Sequence, residues 1–241
     1  MSFVLGLFYV RDSMVGLNEL FFLFHAAWII GATCMALYLG REALITLICL
    51  ESVLSNLMIS KQISLLGMHT ICTDVFTIGS IIGLSLVQEC FGKATARRTI
   101  IINFCMLVFY LVSSNLHVLY VPNDFDTMHD LFAILFKPMP RIIIASMLVY
   151  YVVQLFDTWL FGKIKQQCGD MSLTHRLLLC TSASQLLDTV LFTFGALYGN
   201  VASVMHIIIV SFVIKMISIV LCAPAIAKIR AFIPVKNHDA I

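Results

Sequence analysis

"LLLCTSASQLLDTVLFTFGALYG", residues 177–199, decides which solvent the chain lives in. A helix needs about 20 mainly apolar residues to cross about 30 Å of hydrocarbon, and this stretch meets that length. Yet Gln185 and Asp188 stand near its middle. An aspartate at mid-depth costs roughly 2.5–3.5 kcal/mol on insertion scales, so the pair demands a reason. The rest of the chain makes the same solvent choice. Of its 241 residues 61% are hydrophobic and only 12% charged, against about 25% charged in soluble domains. Such a chain cannot cover its own surface with polar groups, which points to an integral membrane protein.

Moving outward, seven stretches are apolar enough to span: 18–40, 43–60, 70–88, 99–120, 141–162, 177–199 and 202–227. The expected fold is therefore all-α, a polytopic transmembrane bundle with a six-helix core plus an extra N-terminal helix. One integral membrane domain covers 1–241, divided into a 1–40 extension, a 41–227 core and a 228–241 tail. The longest connection, 121–140, holds Pro122, Pro138 and Pro140 and reads as extended chain. Lys93, Arg97, Arg98, Lys163, Lys165, Arg176, Lys228, Arg230 and Lys236 fall in connections that alternation puts on one side. The positive-inside rule makes that side cytoplasmic, with the N-terminus outside and the C-terminus inside. No cleavable leader is expected, since no basic start precedes a short apolar run. Small residues at Ser80 and Gly83, and at Ser182, Ala183 and Ser184, suit close helix contacts.

Several function classes recede on composition and motif. A net charge of +2 gives no nucleic-acid surface. The eight cysteines include no CxxC pair and read as small hydrophobes. No P-loop, HExxH or GxSxG occurs, and the histidines lack metal-ligand spacing. No cofactor is called for. What remains is a set of polar groups inside apolar helices: Glu51, Asn56 and Lys61; Gln88 and Glu89; Gln154 and Asp157; Gln185 and Asp188; His206 and Lys215. Ionisable residues inside a membrane mark pathways or partners. Gln154 and Asp157 read as packing or interfacial groups, Glu51 as half of a helix–helix ion pair. Asp188 and Lys215 either neutralise each other or face a guest. Carboxylates, amides and the aromatic faces of Phe76 and Phe192 would suit a flat heterocycle with N–H donors. A carrier, a membrane-embedded enzyme and a ligand-free assembly subunit are the three readings these residues leave open.

Five stretches add a resemblance: "LGREALITLICLESVLSNLMISKQISLLG" (39–67), "VQECFGKATARR" (87–98), "RIIIASMLVYYVVQLFDTWLFGKIK" (141–165), "SASQLLDTVLFTFGAL" (182–197) and "IKMISIVLCAP" (214–224). In order and spacing the chain resembles the queuosine precursor transporter family. Its most specific pieces are E-x-[FY]-G-x-x-x-A-R-[RK] at Glu89–Arg98 and S-Q-x-x-D at Ser184–Asp188. The resemblance implies a bundle similar to the substrate-binding components of energy-coupling-factor transporters. It also implies a multi-pass protein of the bacterial inner membrane that imports a 7-deazaguanine base for tRNA modification, without catalysis. That base is 7-cyano-7-deazaguanine, 7-aminomethyl-7-deazaguanine or queuine. Carried over by position, Asn56, Lys61, Glu89, Gln185, Asp188 and Lys215 would bind substrate, with Phe76 and Phe192 as stacking faces. Ser85 stands where the family usually has an aspartate, which leaves the choice among the three bases open. No coupling ion is legible, and an ATPase partner or a homo-oligomer stays open.

Overall fold

A computed structural model describes residues 15–167 and 173–232. Residues 1–14 of the extension, Cys168, and the tail from 233 with Lys236 lie outside the described residues. So do the side chains of Lys165, Arg176, Cys222, Lys228 and Arg230. The helices are α1 (Val15–Leu39), α2 (Arg41–Met58), α3 (Asp74–Val118), α4 (His129–Phe136), α5 (Met139–Gln167), α6 (Leu173–Phe192) and α7 (Val204–Phe232). Among the described residues one β-hairpin, β1 (Gln62–Leu65) and β2 (Met68–Ile71), interrupts them. Each of the seven apolar stretches falls mostly in helix, so the all-α fold class holds. Among the described residues, Gly16–Leu39, Asp74–Val118 and His129–Ile164 are long and apolar enough to cross a membrane, and Val204–Val220 is a shorter apolar helix.

The chain divides into two compact units, one of residues 15–110 with 217–232, the other of 111–216. In the first unit, α1 buries Phe22, Ile29, Thr33 and Leu37, spaced along one face. It exposes Phe21, Phe24, Trp28, Met35 and Tyr38. Such a face would aggregate in water; in a bilayer it is the lipid-facing side. One residue, Gly40 (φ 116°), separates α1 from α2. Ile29 and Glu51 lie equally far from it along the chain and both abut Gly79, as a pair of helices folded back on itself requires. A β-carbon on Gly79 would overlap Glu51 Oε1 and come within 2.5 Å of Ile29 Cγ2; one on Gly83 would lie 2.8 Å from Ile48 Cγ1. Four residues apart, the two glycines form a strip on α3 that lets backbone approach backbone.

The two predicted spans, 70–88 and 99–120, are the two helical arms of α3, which meet directly at the non-helical Gly92 (φ 87°, ψ 163°) with no loop between them. That conformation is essentially reserved for glycine. No atom lies within 4 Å of a β-carbon placed there, so the backbone, not space, demands the residue. The hairpin replaces the expected start of the third span. Leu66 (φ 52°) and Gly67 (φ 75°) make its two-residue turn, as a type I′ turn requires. Asn18 Nδ2 donates to the Ser64 carbonyl at 2.9 Å, and the Leu66 N–H donates to Glu19 Oε1 at 2.7 Å, tying the hairpin to the start of α1.

In the second unit, the connection expected to be extended from 121 to 140 contains α4. Asp126 Oδ1 accepts from the N–H groups of Met128 (2.7 Å) and His129 (3.1 Å), which starts that helix. Pro138 and Pro140 sit at the beginning of α5, where a missing N–H costs nothing, so they do not keep the chain extended. Helices α5 and α6 pack together: Gly195 lies against Ala145, and Ser184 Oγ donates to Asp157 Oδ1 at 2.7 Å. Asp157 is thus a packing group, as the sequence suggested. After Phe192 the helix loosens into a π-turn over Thr193–Leu197. Arg141 donates from Nε to the Gly195 carbonyl at 2.8 Å, taking up an acceptor there.

Candidate functional site

The opening stretch places its polar residues on one face because residues three and four apart on a helix are neighbours. Gln185, Asp188 and Thr189 follow that spacing along α6, and Thr193 continues it at the start of the π-turn. Lys215 reaches them from α7. Its Nζ donates to Asp188 Oδ2 at 2.6 Å and to Thr189 Oγ1 at 3.1 Å. Thr189 in turn donates to the Gln185 carbonyl at 2.8 Å, and Thr193 to the Thr189 carbonyl at 2.7 Å. The lysine side chain is 10% exposed, the aspartate 32%. A charge-assisted bond of this length is among the stronger kinds, and it removes much of the cost of holding both ions in an apolar helix pair. Lys215 engages only one carboxylate oxygen of Asp188 in that bond, and the aspartate stays partly open. Thr189 was not among the expected site residues; its position four after Gln185 was the available signal.

The first unit holds the other expected residues. Asn56 is buried, and its Nδ2 donates to the Ser52 carbonyl at 2.7 Å, which leaves its side-chain oxygen as the acceptor. Lys61 is exposed at the entrance to β1. Glu89 is exposed three residues before the Gly92 break. Phe76 is buried, its ring edge-on to His25 with centroids 5.3 Å apart. Phe192, in the second unit, is half-buried at the end of α6. Ser85 donates to the Ile81 carbonyl at 2.7 Å, bonding back to its own helix.

Glu51 departs from expectation. It is 1% exposed, and among the described residues neither carboxylate oxygen has a hydrogen-bond partner. The helix–helix ion pair expected of it is absent among the described residues. What meets it instead is the bare backbone of Gly79 and the side chain of Ile29. Among the described residues no group of His, Cys, Asp and Glu could hold a metal.

The family model described as "Putative vitamin uptake transporter" matches residues 73–229, which include α3, the Gly92 break and the α6–α7 cluster. The chain belongs to the vitamin uptake transporter family. It is accordingly a multi-pass membrane transporter. This family member is also 26% identical over 198 residues to a protein of Bacillus subtilis (strain 168) named "Probable queuosine precursor transporter". The similarity covers 81% of this chain and 86% of that one. No solved structure matches the chain.

Proposed function

We propose that this transporter imports a queuosine precursor, a 7-deazaguanine base, into the cytoplasm without altering it chemically. The observation that carries the reading is the α6–α7 cluster inside a chain whose relative is named for queuosine precursor transport. A guanine-like edge offers N–H donors and a carbonyl acceptor. Asp188, with Oδ2 held by Lys215, has its second oxygen for a base N–H, and Gln185 fixes orientation one turn earlier. Lys215 balances the buried charge. Phe192 is the candidate apolar face on the same helix as Gln185 and Asp188, and Asn56, Lys61, Phe76 and Glu89 of the first unit are further candidates by family position. The core is taken as 41–227, with α1 an added helix and the C-terminus cytoplasmic; a reporter fused at the C-terminus should be active only inside the cell.

Uptake tests the function directly. Cells unable to make queuosine receive the cyano base, the aminomethyl base or queuine, with and without this protein. Queuosine in their tRNA is then measured. At least one base should restore it only when the transporter is present; failure of all three refutes the reading. Asp188→Asn should reduce rescue about tenfold or more while protein still reaches the membrane, the size expected for losing one charge-assisted bond. Undiminished rescue would remove Asp188 from the site.

A further inference from the structure

The polar group with the least satisfied surroundings lies outside the α6–α7 cluster. Glu51 is 1% exposed at the middle of α2, with both carboxylate oxygens unpartnered among the described residues. Gly79 of α3 and Ile29 of α1 close over it so tightly that a single added β-carbon on Gly79 would overlap the carboxylate. A heterocycle has no room there. A proton needs none, and it converts an acceptor-only carboxylate into a group that can be buried at far lower cost.

Among the described residues no cation pairs with Glu51. Of the charged and titratable groups, α1 carries Glu19 and His25, and α3 carries Asp74 and Glu89, with Lys93, Arg97 and Arg98 beyond the Gly92 break; α2 itself adds the Arg41–Glu42 pair. None of them hydrogen-bonds to Glu51. Glu19 accepts from Leu66, and Arg41 is held by its neighbour. His25 lies one turn before Ile29 on α1, with its ring against Phe76, three residues before Gly79 on α3. It is the titratable group next in register to the carboxyl. A merely structural site of this shape would be filled as well by an apolar side chain of the same volume, whereas an ionisable one invites a role in transport.

We infer that Glu51 is a proton-binding site through which this transporter couples base uptake to an inward proton movement. The inference rests on the transport reading proposed above. With Glu51 open to the outside, a proton from water forms an O–H bond on its carboxylate. The neutral acid then packs against Gly79, and on opening inward the O–H bond breaks and the proton leaves to cytoplasmic water. One proton enters with each base, and no other reactant is consumed.

The test uses the full chain in proteoliposomes with a radiolabelled 7-deazaguanine base. Wild type should accumulate base several-fold when the outside is more acidic, and a protonophore should abolish that accumulation. Adding base should also move protons, seen with a trapped pH dye. Glu51→Gln should lose gradient-driven accumulation and the proton signal, yet retain exchange of labelled for unlabelled base. Glu51→Asp should keep part of both. Accumulation by Glu51→Gln at the wild-type level overturns the inference, as does wild-type uptake indifferent to the proton gradient. The latter result stands even if the glutamine variant fails to fold. Intact exchange with no proton dependence sinks only the coupling; absence of any exchange by wild type sinks the transport reading with it.

Discussion

Gly92→Ala isolates one cause of stability from all others. The glycine interrupts α3 with φ 87° and ψ 163°, and open space surrounds the position a methyl group would take. The substitution therefore adds no clash and removes no contact. Its whole cost is conformational, about 1–3 kcal/mol for a side chain forced into that region. A matched control exists in Gly31, on α1, where a β-carbon also meets nothing within 4 Å but the backbone is helical. Alanine there should be neutral or stabilising by up to about 1 kcal/mol. Both variants are unfolded reversibly by a denaturing detergent titrated into mild micelles, followed by circular dichroism. The Gly92 variant should lose stability relative to the Gly31 variant by about 1–4 kcal/mol, the sum of the two ranges. Equal stability of the two variants would mean that α3 does not need its break, and the reasoning would fail.

Three further outcomes follow from the packing. Lys215→Met should destabilise by about 2–3 kcal/mol, the lower end for a broken buried pair because Asp188 is partly exposed; adding Asp188→Asn should recover at least about 1 kcal/mol in the same titration, and additive losses would deny the pair. Gly79→Ala should cost about 1–3 kcal/mol by overpacking against Glu51 and Ile29, and a stability equal to wild type would place α1 and α2 elsewhere. Arg141→Ala should cost only about 0.5–1.5 kcal/mol but speed amide exchange across residues 193–199, where it holds the Gly195 carbonyl; unchanged exchange there would show that the π-turn holds without it.

The helical segments were legible because a bilayer imposes one length and one polarity on whatever crosses it. The interruptions were not. Residues 88–98 look like a loop, since Gln88, Glu89, Lys93, Arg97 and Arg98 are polar, yet they continue a helix on both sides of Gly92. Nothing local in that run reveals that the motif's glycine carries the bend rather than a turn. Pro138 and Pro140 suggested extended chain, because a proline reads alike at a helix start and in a loop. The Leu66–Gly67 turn lacks the Asn or Asp that usually announces a hairpin. In the site, the shared face of Gln185 and Asp188 followed from helical spacing alone. The choice of Lys215 for Asp188, and of no described cation for Glu51, depends on which helices meet, and spacing within one helix carries no record of that.

The single-residue link at Gly40 bears on how the protein enters the bilayer during synthesis. With Arg41, Glu42 and Glu51 along its length, α2 is not among the segments apolar enough to partition into lipid unaided. Its neighbour α1 is, and no loop between them allows the two to be handled separately by the insertion machinery. A pair linked in this way should enter as one hairpin, the greasy arm carrying the polar one. A shortened chain starting after Leu39 should then leave α2 stranded in the aqueous phase and expose the protein to quality-control proteolysis, which membrane fractionation of the two chains would detect.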